Sequence, residues 1–215
     1  MNGHVLEQVE HEKDLGIIID NELKFHVQAS VAVKKANQIL GLIKRTITTK
    51  NEKTIPLLYM TLVRPHLEYA NVVWGPHYKG DQQLVEKVQR RATKMIPRLR
   101  NLSYDLRLRH LNLPSLQHRR RRGDMIMAYK IMTGRVRVDK HELFNLRVNS
   151  TTRGHRYKIF KKHATSFVKQ STFCNRIVND WNDLPQQIIE ANNVNAFKNA
   201  LDKYWYEKKF DTPFT

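Results

Sequence analysis

Apolar residues recur at helical spacing along most of the chain. Between His26 and Ile47 they fall on one side of a single helix of about 22 residues, with Lys34, Gln38 and Arg45 on the opposite side. Two further segments, TIPLLYMTLV and PHLEYANVVW, each begin with an early proline and predict two shorter helices that end near Gly75. The apolar positions of the long helix are Ala29, Ala32, Val33, Ala36, Ile39, Leu40, Ile43 and Ile47.

The first 25 residues follow a different pattern. HVLEQVE and LGIIID are short, rich in Val, Ile and Leu, and separated by the polar segment HEKD. This arrangement predicts a hairpin with strands at residues 4–10 and 15–19. We therefore predict a mainly α fold, with a small N-terminal β-hairpin, a multi-helix bundle, and a short strand or loop segment near 150–162.

A helix predicted over residues 81–96 carries basic residues on one side. Lys87, Arg90, Arg91 and Lys94 fall within an arc of about 100°, away from the apolar positions. A basic row along a helix can follow a row of phosphates, so we predict that these four residues bind nucleic acid. The alternative is a solvated helix face. The apolar positions are Leu84, Val88, Ala92, Met95 and Ile96.

Four consecutive arginines lie in the segment QHRRRRGDMIMAYKI, residues 117–131, within a further predicted helix. Four successive helical residues span about 300° of the circumference, so at least one of these arginines must face the interior and needs a carboxylate there. We expect two of them to serve the fold and two to serve a partner, and we predict Arg120 and Arg121 as nucleic-acid contacts. A nuclear localisation signal is the alternative. The available carboxylates are Asp105, Asp124, Asp180 and Asp183.

The segment STTRGHRYKIFKK places basic residues beside aromatic ones. Arg153, His155, Arg156 and Lys158 adjoin Tyr157 and Phe160, a combination that suits both phosphate contacts and base stacking. The other reading, that Tyr157, Ile159 and Phe160 simply form the core of a strand, stays open.

The residues after this segment predict two or three helices that pack together. We divide the chain into a hairpin (1–25), a helical region (26–135), a basic loop or strand segment (136–169) and a C-terminal helical region (170–209). The last region is expected to pack through Phe173, Ile177, Val178, Trp181, Leu184, Ile188, Phe197, Leu201 and Trp205.

Charge narrows the class of partner. The chain has 38 Lys and Arg against 20 Asp and Glu, a formal net charge of +18. Residues 86–135 alone carry 14 basic and three acidic side chains, whereas residues 1–25 have a net charge of -4. Such an excess repels itself in the folded state and typically marks a polyanionic partner, of which nucleic acid is the most common. No apolar stretch is long enough to span a membrane.

Catalytic motifs are absent from the sequence. It contains no glycine-rich phosphate loop, no HExxH motif and no paired aspartates that could hold two metal ions. The single cysteine, Cys174, excludes zinc sites built on paired cysteines and fits a reducing compartment. We therefore expect no cofactor, no metal site, and a location inside the cell, in the nucleus, the cytoplasm or both.

Five segments, taken together, resemble a known family. In their order and spacing they are similar to the region that ends the reverse transcriptase of jockey-like, LINE-type non-LTR retrotransposons, and the resemblance runs from Asn2 to about Trp205. The segments are NGHVLEQVEHEKDLGIIIDNELKFHVQ, LYMTLVRPHLEYANVVWGP, VEKVQRRATKMIPRLRNLSYDLRLRHLNLPSLQHRRRRGDMIMAYKIMTG, TTRGH and FCNRIVNDWNDLP.

This resemblance implies positions for parts of a polymerase. Leu15, Gly16 and Ile17 would occupy the primer grip, and the helices from His26 onward would correspond to the thumb and the region beyond it. Asp14 stands where many relatives have an aromatic residue. Relatives carry their metal-binding aspartates before this hairpin, so we expect this chain not to polymerise DNA by itself.

The implied partner is RNA, DNA or an RNA–DNA hybrid, and a reverse transcriptase palm domain is a further candidate. Two alternatives remain: a stand-alone nucleic-acid-binding protein derived from such an element, and a module that binds an acidic protein through its basic face. We also expect an apolar, palm-facing surface near Val5, Ile17 and Ile19 to be left uncovered.

Overall fold

The structure, a computed structural model, describes residues 9–147 and 155–207. Within these ranges an N-terminal two-stranded antiparallel hairpin is followed by a multi-helix bundle, as the sequence predicts. The chain divides into two compact units. The first comprises Met1–Ala70 and Trp74–Pro97, and the second comprises Asn71–Val73 and Arg98–Thr215. The predicted four-part division stays a prediction.

The first unit contains the hairpin and the longest helix. The predicted helix over 26–47 is confirmed, and its predicted apolar side is largely buried. The elements, in order, are β1 (His11–Asp14), β2 (Ile17–Asp20), α1 (His26–Thr46), α2 (Thr54–Leu58), a π-helical segment (Tyr59–Val63), α3 (Arg64–Glu68), α4 (Asn71–Trp74), which has residues in both units, and α5 (Lys79–Lys94).

The hairpin turns later in the sequence than we predicted. HEKD, expected as the turn, is itself β1, and Asp14 pairs with Ile17. The turn is therefore only Leu15 and Gly16, whose φ angles are +44° and +83°. Positive φ at both positions is what tight type I′ turns require, and glycine adopts it without a steric penalty. Most of the strand predicted over 4–10 lies outside the described residues.

The hairpin packs against α1 through its second strand. Ile17 is buried with Phe25, Ala29, Ala32 and Trp74 in one apolar cluster. The prediction that Ile17 would lie on an uncovered surface is therefore wrong, because Ile17 is buried in one cluster with Trp74. Ile19 is partly buried against the same cluster, and Val5 lies outside the described residues.

Asp20 fixes the connection from β2 to α1. Its carboxylate accepts hydrogen bonds from the backbone N–H groups of Lys24, at 2.9 Å, and Phe25, at 2.6 Å. Leu23 and Phe25 both have left-handed backbones, so this connection is strained and needs such support. Burial acts to raise the pKa of Asp20, but the backbone hydrogen bonds outweigh it and hold that pKa below its usual value.

The two helices predicted over 54–74 are joined near residue 64, where the first was expected to end and the second to begin. A π-helical turn links α2 to α3, and the N–H of Arg64 bonds to the carbonyl of Tyr59, five residues earlier. Pro65, which follows, has no N–H and would clash with the carbonyl four residues before it in a regular α-helix. The wider π turn fits such a proline without ending the helix.

The second unit is built from two long helices, of 17 and 14 residues, and several short ones. The predicted strand near 150–162 is reduced to one isolated bridge, between Leu146 and Ile159, within the described residues. The elements are a 3₁₀ turn (Pro97–Leu99), α6 (Tyr104–Leu111), α7 (Leu116–Met132), α8 (Lys140–Leu143), α9 (Phe167–Ser171), α10 (Phe173–Arg176), α11 (Val178–Asn182), α12 (Gln186–Ile189) and α13 (Val194–Glu207).

The core of this unit contains the predicted packing residues of the C-terminal region together with apolar residues of α7. Trp181 and Phe197 are fully buried, and Tyr129 of α7 stacks on Phe197 with ring centroids 4.3 Å apart. The Tyr129 hydroxyl also donates to the carbonyl of Ala191. Of the nine predicted packing residues, eight are buried, and Phe173 is partly buried against the same cluster.

Helix α7 is tied to the C-terminal helices by ion pairs from its arginine segment. Arg121 donates Nε and Nη2 to the carboxylate of Asp180, and Arg122 does the same to Asp202. The prediction that some of the arginines serve the fold is confirmed for these two. Asp180 was among the predicted carboxylates, and Asp202 was not.

A third pair runs in the opposite sense, from an acidic residue of α7. Asp124 accepts two hydrogen bonds of 2.8 Å from Arg176, whose guanidinium also donates to the carbonyls of Ser171, Asn71 and Val72. Burial raises the pKa of Asp124, and the Arg176 charge works against that shift. The arginine is therefore almost fully satisfied by oxygen acceptors in a partly buried site.

We expect Asp124→Asn to lower the free energy of unfolding by about 3 kcal/mol, because it leaves the Arg176 guanidinium partly buried without its carboxylate. Asp202→Asn is the matched control: the Asp202 side chain is 45% exposed, and its loss should cost less than about 1 kcal/mol. Urea denaturation followed by circular dichroism measures both values. Equal losses would contradict the assignment of the Asp124 pair as the structural one.

Candidate nucleic-acid interface

Helix α5 exposes all four of its predicted phosphate-binding residues. Lys87, Arg90, Arg91 and Lys94 are exposed, whereas Val85, Val88, Gln89, Ala92 and Thr93 are buried. The amphipathic pattern therefore places the basic residues on the outer side of the helix, as expected. On the apolar side, Val85 takes the buried position for which Leu84 was predicted.

Polar contacts fix the orientation of α5 in the first unit. Asp81, at its start, lies 2.6 Å from Nδ1 of His26, the first residue of α1. In the middle of α5, the buried Gln89 accepts a 2.8 Å hydrogen bond from the hydroxyl of Tyr59. Side chains so far apart in the sequence could not be paired from the pattern alone. These contacts hold the exposed side of α5 in one direction.

Helix α1 adds basic residues beside those of α5. Nη1 of Arg91 donates a 3.1 Å hydrogen bond to Oδ1 of Asn37, so the outer sides of the two helices adjoin there. Lys34 and Lys44 are three residues before and seven after Asn37, which places them on the same side of α1, and both are exposed. From the sequence, Lys34 was placed only on the side of the helix opposite its apolar residues.

We call these six residues, Lys34, Lys44, Lys87, Arg90, Arg91 and Lys94, the α1–α5 basic surface. The segment that forms α1 contains no acidic residue, and α5 contains only Asp81, which is buried, and Glu86. Among the described residues, no carboxylate pairs with Lys87 or Lys94. All six residues of the surface are basic, and such a local excess of positive charge attracts polyanions.

The predicted contacts on α7 have a different environment. Arg121 is bound by Asp180, and its guanidinium lies 5.7 Å from the ring centre of Trp205. Arg120 lies close enough to Asp124 for its charge to favour the ionised carboxylate. Both arginines are partly buried, and Asp180 balances the charge of Arg121, whereas Asp124, near Arg120, is already paired with Arg176.

The basic segment near residue 156 is only partly described. Arg153 lies outside the described residues. Arg156 is exposed, lies 3.7 Å from Glu190, and stacks over Tyr157 at 5.0 Å from the ring centre. Lys158 is half-buried, and Phe160 is 52% exposed. Each interpretation of this segment therefore holds for part of it: Ile159 belongs to the core, whereas Phe160 faces solvent.

The three residues predicted as a primer grip lie at the turn of the hairpin and at the start of β2. Leu15 is 82% exposed, and its carbonyl accepts a 2.9 Å hydrogen bond from the hydroxyl of Tyr69. Gly16 is exposed beside it, with the Tyr69 ring 3.8 Å from where a Cβ would lie. Of these three residues, Leu15 and Gly16 are therefore accessible from solvent, whereas Ile17 is buried.

His155 belongs to the core of the second unit. It is 1% exposed; its Nε2–H donates to the carbonyl of Trp181 at 2.9 Å, and its Nδ1 accepts from the N–H of Tyr157 at 3.2 Å. Both bonds need the neutral ring protonated on Nε2. Burial lowers the pKa of His155, outweighing the bond to Trp181.

No catalytic or metal centre is evident in the part of the chain that the structure describes. Burial raises the pKa of the Cys174 thiol, which disfavours the reactive thiolate. Residues 9–147 and 155–207 contain no cluster of three or more His, Cys, Asp or Glu side chains suited to a metal ion. Within the same ranges, every helix is too short or too polar to cross a bilayer.

Comparison of the chain with protein-family models, with curated proteins and with solved structures finds no match in any of the three. Its function must therefore be inferred from its residues and their geometry.

We expect the protein to lose stability as the pH falls below about 6.5, the usual pKa of histidine in an unfolded chain. Between that value and the lowered pKa of folded His155, the unfolded state binds the extra proton, so the free energy of unfolding decreases by up to about 1.4 kcal/mol per pH unit. Denaturation at pH 7.5, 6.5 and 5.5 measures this slope.

His155→Gln should be less stable at pH 7.5 and should show a smaller loss at acid pH. The control His141→Gln changes an exposed histidine and should keep the original slope. If both variants keep it, His155 does not determine the pH dependence.

Proposed function

We propose that this chain binds nucleic acid through phosphate contacts, as the thumb-like, C-terminal part of a reverse transcriptase that resembles those of jockey-like, LINE-type non-LTR retrotransposons. The observation that supports the proposal most strongly is the α1–α5 basic surface, on which six exposed cations adjoin. A single-sign surface of this kind gives affinity that depends on charge rather than on base sequence.

The dimensions of the surface suit a nucleic-acid backbone. From Lys87 to Lys94 the helix advances about 10 Å, the axial distance that about three phosphates of one strand occupy. Arg91 is further suited to phosphate, because its planar guanidinium can donate two hydrogen bonds at once. Arg156 and Lys158 of the second unit are secondary candidates. Arg120 and Arg121 become weaker ones because both are partly buried and Asp180 pairs with Arg121.

The tip of the hairpin supports the same proposal. In the proposed role, Leu15 and Gly16 would contact the end of a primer strand through an exposed apolar side chain and an open backbone. Tyr69 would hold that tip in place through the carbonyl of Leu15. The ligand would be an RNA–DNA hybrid, RNA or DNA inside the cell, and a palm domain would supply the polymerase chemistry.

The test is the affinity of the full chain for a labelled RNA–DNA hybrid over a salt series. For the triple variant Arg90→Gln, Arg91→Gln, Lys94→Gln, the plot of log affinity against log salt should be shallower than for the unchanged chain by about two to three, because about three phosphate contacts are lost. Fluorescence anisotropy gives both slopes.

A matched control removes the same charge elsewhere. Lys53→Gln, Arg137→Gln, Lys203→Gln changes three exposed cations outside the α1–α5 basic surface and should keep the slope of the unchanged chain. If the slopes of both triple variants are reduced equally, net charge alone attracts the hybrid. Binding no tighter than about 100 µM near physiological salt would contradict the proposed function and favour an acidic protein as partner.

A further inference from the structure

The second unit contains a basic cavity that the proposed function does not use. Its volume is about 540 Å³, within the usual range for ligand pockets of about 300–1,000 Å³. Lys161, Lys162 and His163 form one wall, and Gln170, Asn175 and Asn179 supply three side-chain amides. Arg176 completes the lining with a guanidinium that Asp124 already neutralises.

The charged wall of the cavity is suited to a phosphate. Lys162 and His163 are exposed, and Nζ of Lys161 lies 3.3 Å from Oδ1 of Asn179 at the cavity edge. No acidic residue is among the described residues that line the cavity. Three adjacent nitrogen donors without a carboxylate favour an anion over a neutral ligand.

The amides leave defined hydrogen-bonding groups for a ligand. Asn175 and Gln170 use their NH₂ groups on the carbonyls of Lys169 and Ala164, so each keeps a carbonyl oxygen that can accept. Asn179 uses its oxygen on Lys161, so its NH₂ group can still donate. Such a mixture of acceptors and a donor is what recognises the edge of a nucleobase.

Two exposed phenylalanines lie close in the sequence to residues that line the cavity. Phe160 directly precedes Lys161 and is 52% exposed; Phe167 is 51% exposed and lies three residues before Gln170 on the same side of α9. An aromatic ring that faces solvent beside cations is the typical platform on which an unpaired base stacks.

We infer that this cavity binds one unpaired nucleotide of an RNA or DNA strand. The phosphate lies against Lys161, Lys162 and His163, the base stacks on Phe160 or Phe167, and the amides contact its edge. A base within a duplex is already stacked and paired, so its face and edge are closed to such a cavity. The inference rests on the proposed function and adds to it a preference of the second unit for single strands.

The experiment measures the affinity of the full chain for a 12-nucleotide single-stranded RNA and, separately, for a blunt RNA–DNA hybrid of the same length. Phe160→Ala, Phe167→Ala should weaken binding of the single strand at least tenfold, the effect of losing about one stacked base. Lys161→Gln, Lys162→Gln should make its salt dependence shallower by about one to two. Both double variants should bind the hybrid within about twofold of the unchanged chain.

Controls separate this inference from the proposed function. Tyr206→Ala removes another exposed aromatic side chain and should change neither affinity. The triple variant on α5 should weaken binding of the hybrid, whereas the phenylalanine double variant should leave it unchanged. Suppose that the chain binds the hybrid, and that neither cavity variant changes its affinity for the single strand. The assignment of the cavity would then be wrong, and the proposed function would stand.

In the opposite result, the chain does not bind the hybrid, and its affinity for the single strand falls in the cavity variants. This result would support the cavity and reject the α1–α5 basic surface as a duplex-binding site. Absence of binding to either ligand would reject both. Competition by poly-glutamate as strong as that by the single strand would also overturn the nucleotide assignment, since a peptide has no base to stack.

Discussion

The second unit depends on ion pairs that extend from less than two turns of α7. Consecutive residues of a helix point about 100° apart, so the charged side chains of this segment cannot all reach the same neighbour. Each meets a different helix of the C-terminal region, and one helix thereby positions three others. The pairs are Arg121 with Asp180, Arg122 with Asp202, and Asp124 with Arg176. Apolar packing around Trp181 and Phe197 supplies the bulk of the burial, while the pairs select its register.

This arrangement divides the excess positive charge into two populations. Two cations of α7, Arg121 and Arg122, have carboxylate partners within the unit, so their charge is largely cancelled at short range. The α1–α5 basic surface and the cavity wall at Lys161–His163 have few acidic neighbours, and their field extends into solvent. A run of basic residues in a sequence is therefore a poor guide to a binding surface, because two of the four consecutive arginines in this chain are paired with carboxylates of the same unit.

In the first unit, buried polar contacts position the surface that the ligand would meet. Gln89 and Asp81 of α5 hydrogen-bond to side chains of earlier helices, and an unsatisfied partner at either place would be costly. The hairpin is held in a similar way, since Asp20 secures its exit and Tyr69 its tip. A rigid scaffold with exposed cations lowers the entropy cost of binding, because few groups must be ordered when a ligand arrives.

The sequence by itself determined the helices and their buried sides. Periodicity is a local property, so α1, the basic side of α5 and the packing residues of the C-terminal region could all be predicted. Only the tertiary structure decided which charges cancel, because Arg121 and Asp180 are 59 residues apart and nothing local joins them. It also decided that Trp74 and Ile17 share one buried cluster, and that cations and amides from separate short segments line one cavity. Such contacts depend on where the chain returns in space, which spacing along the sequence does not encode.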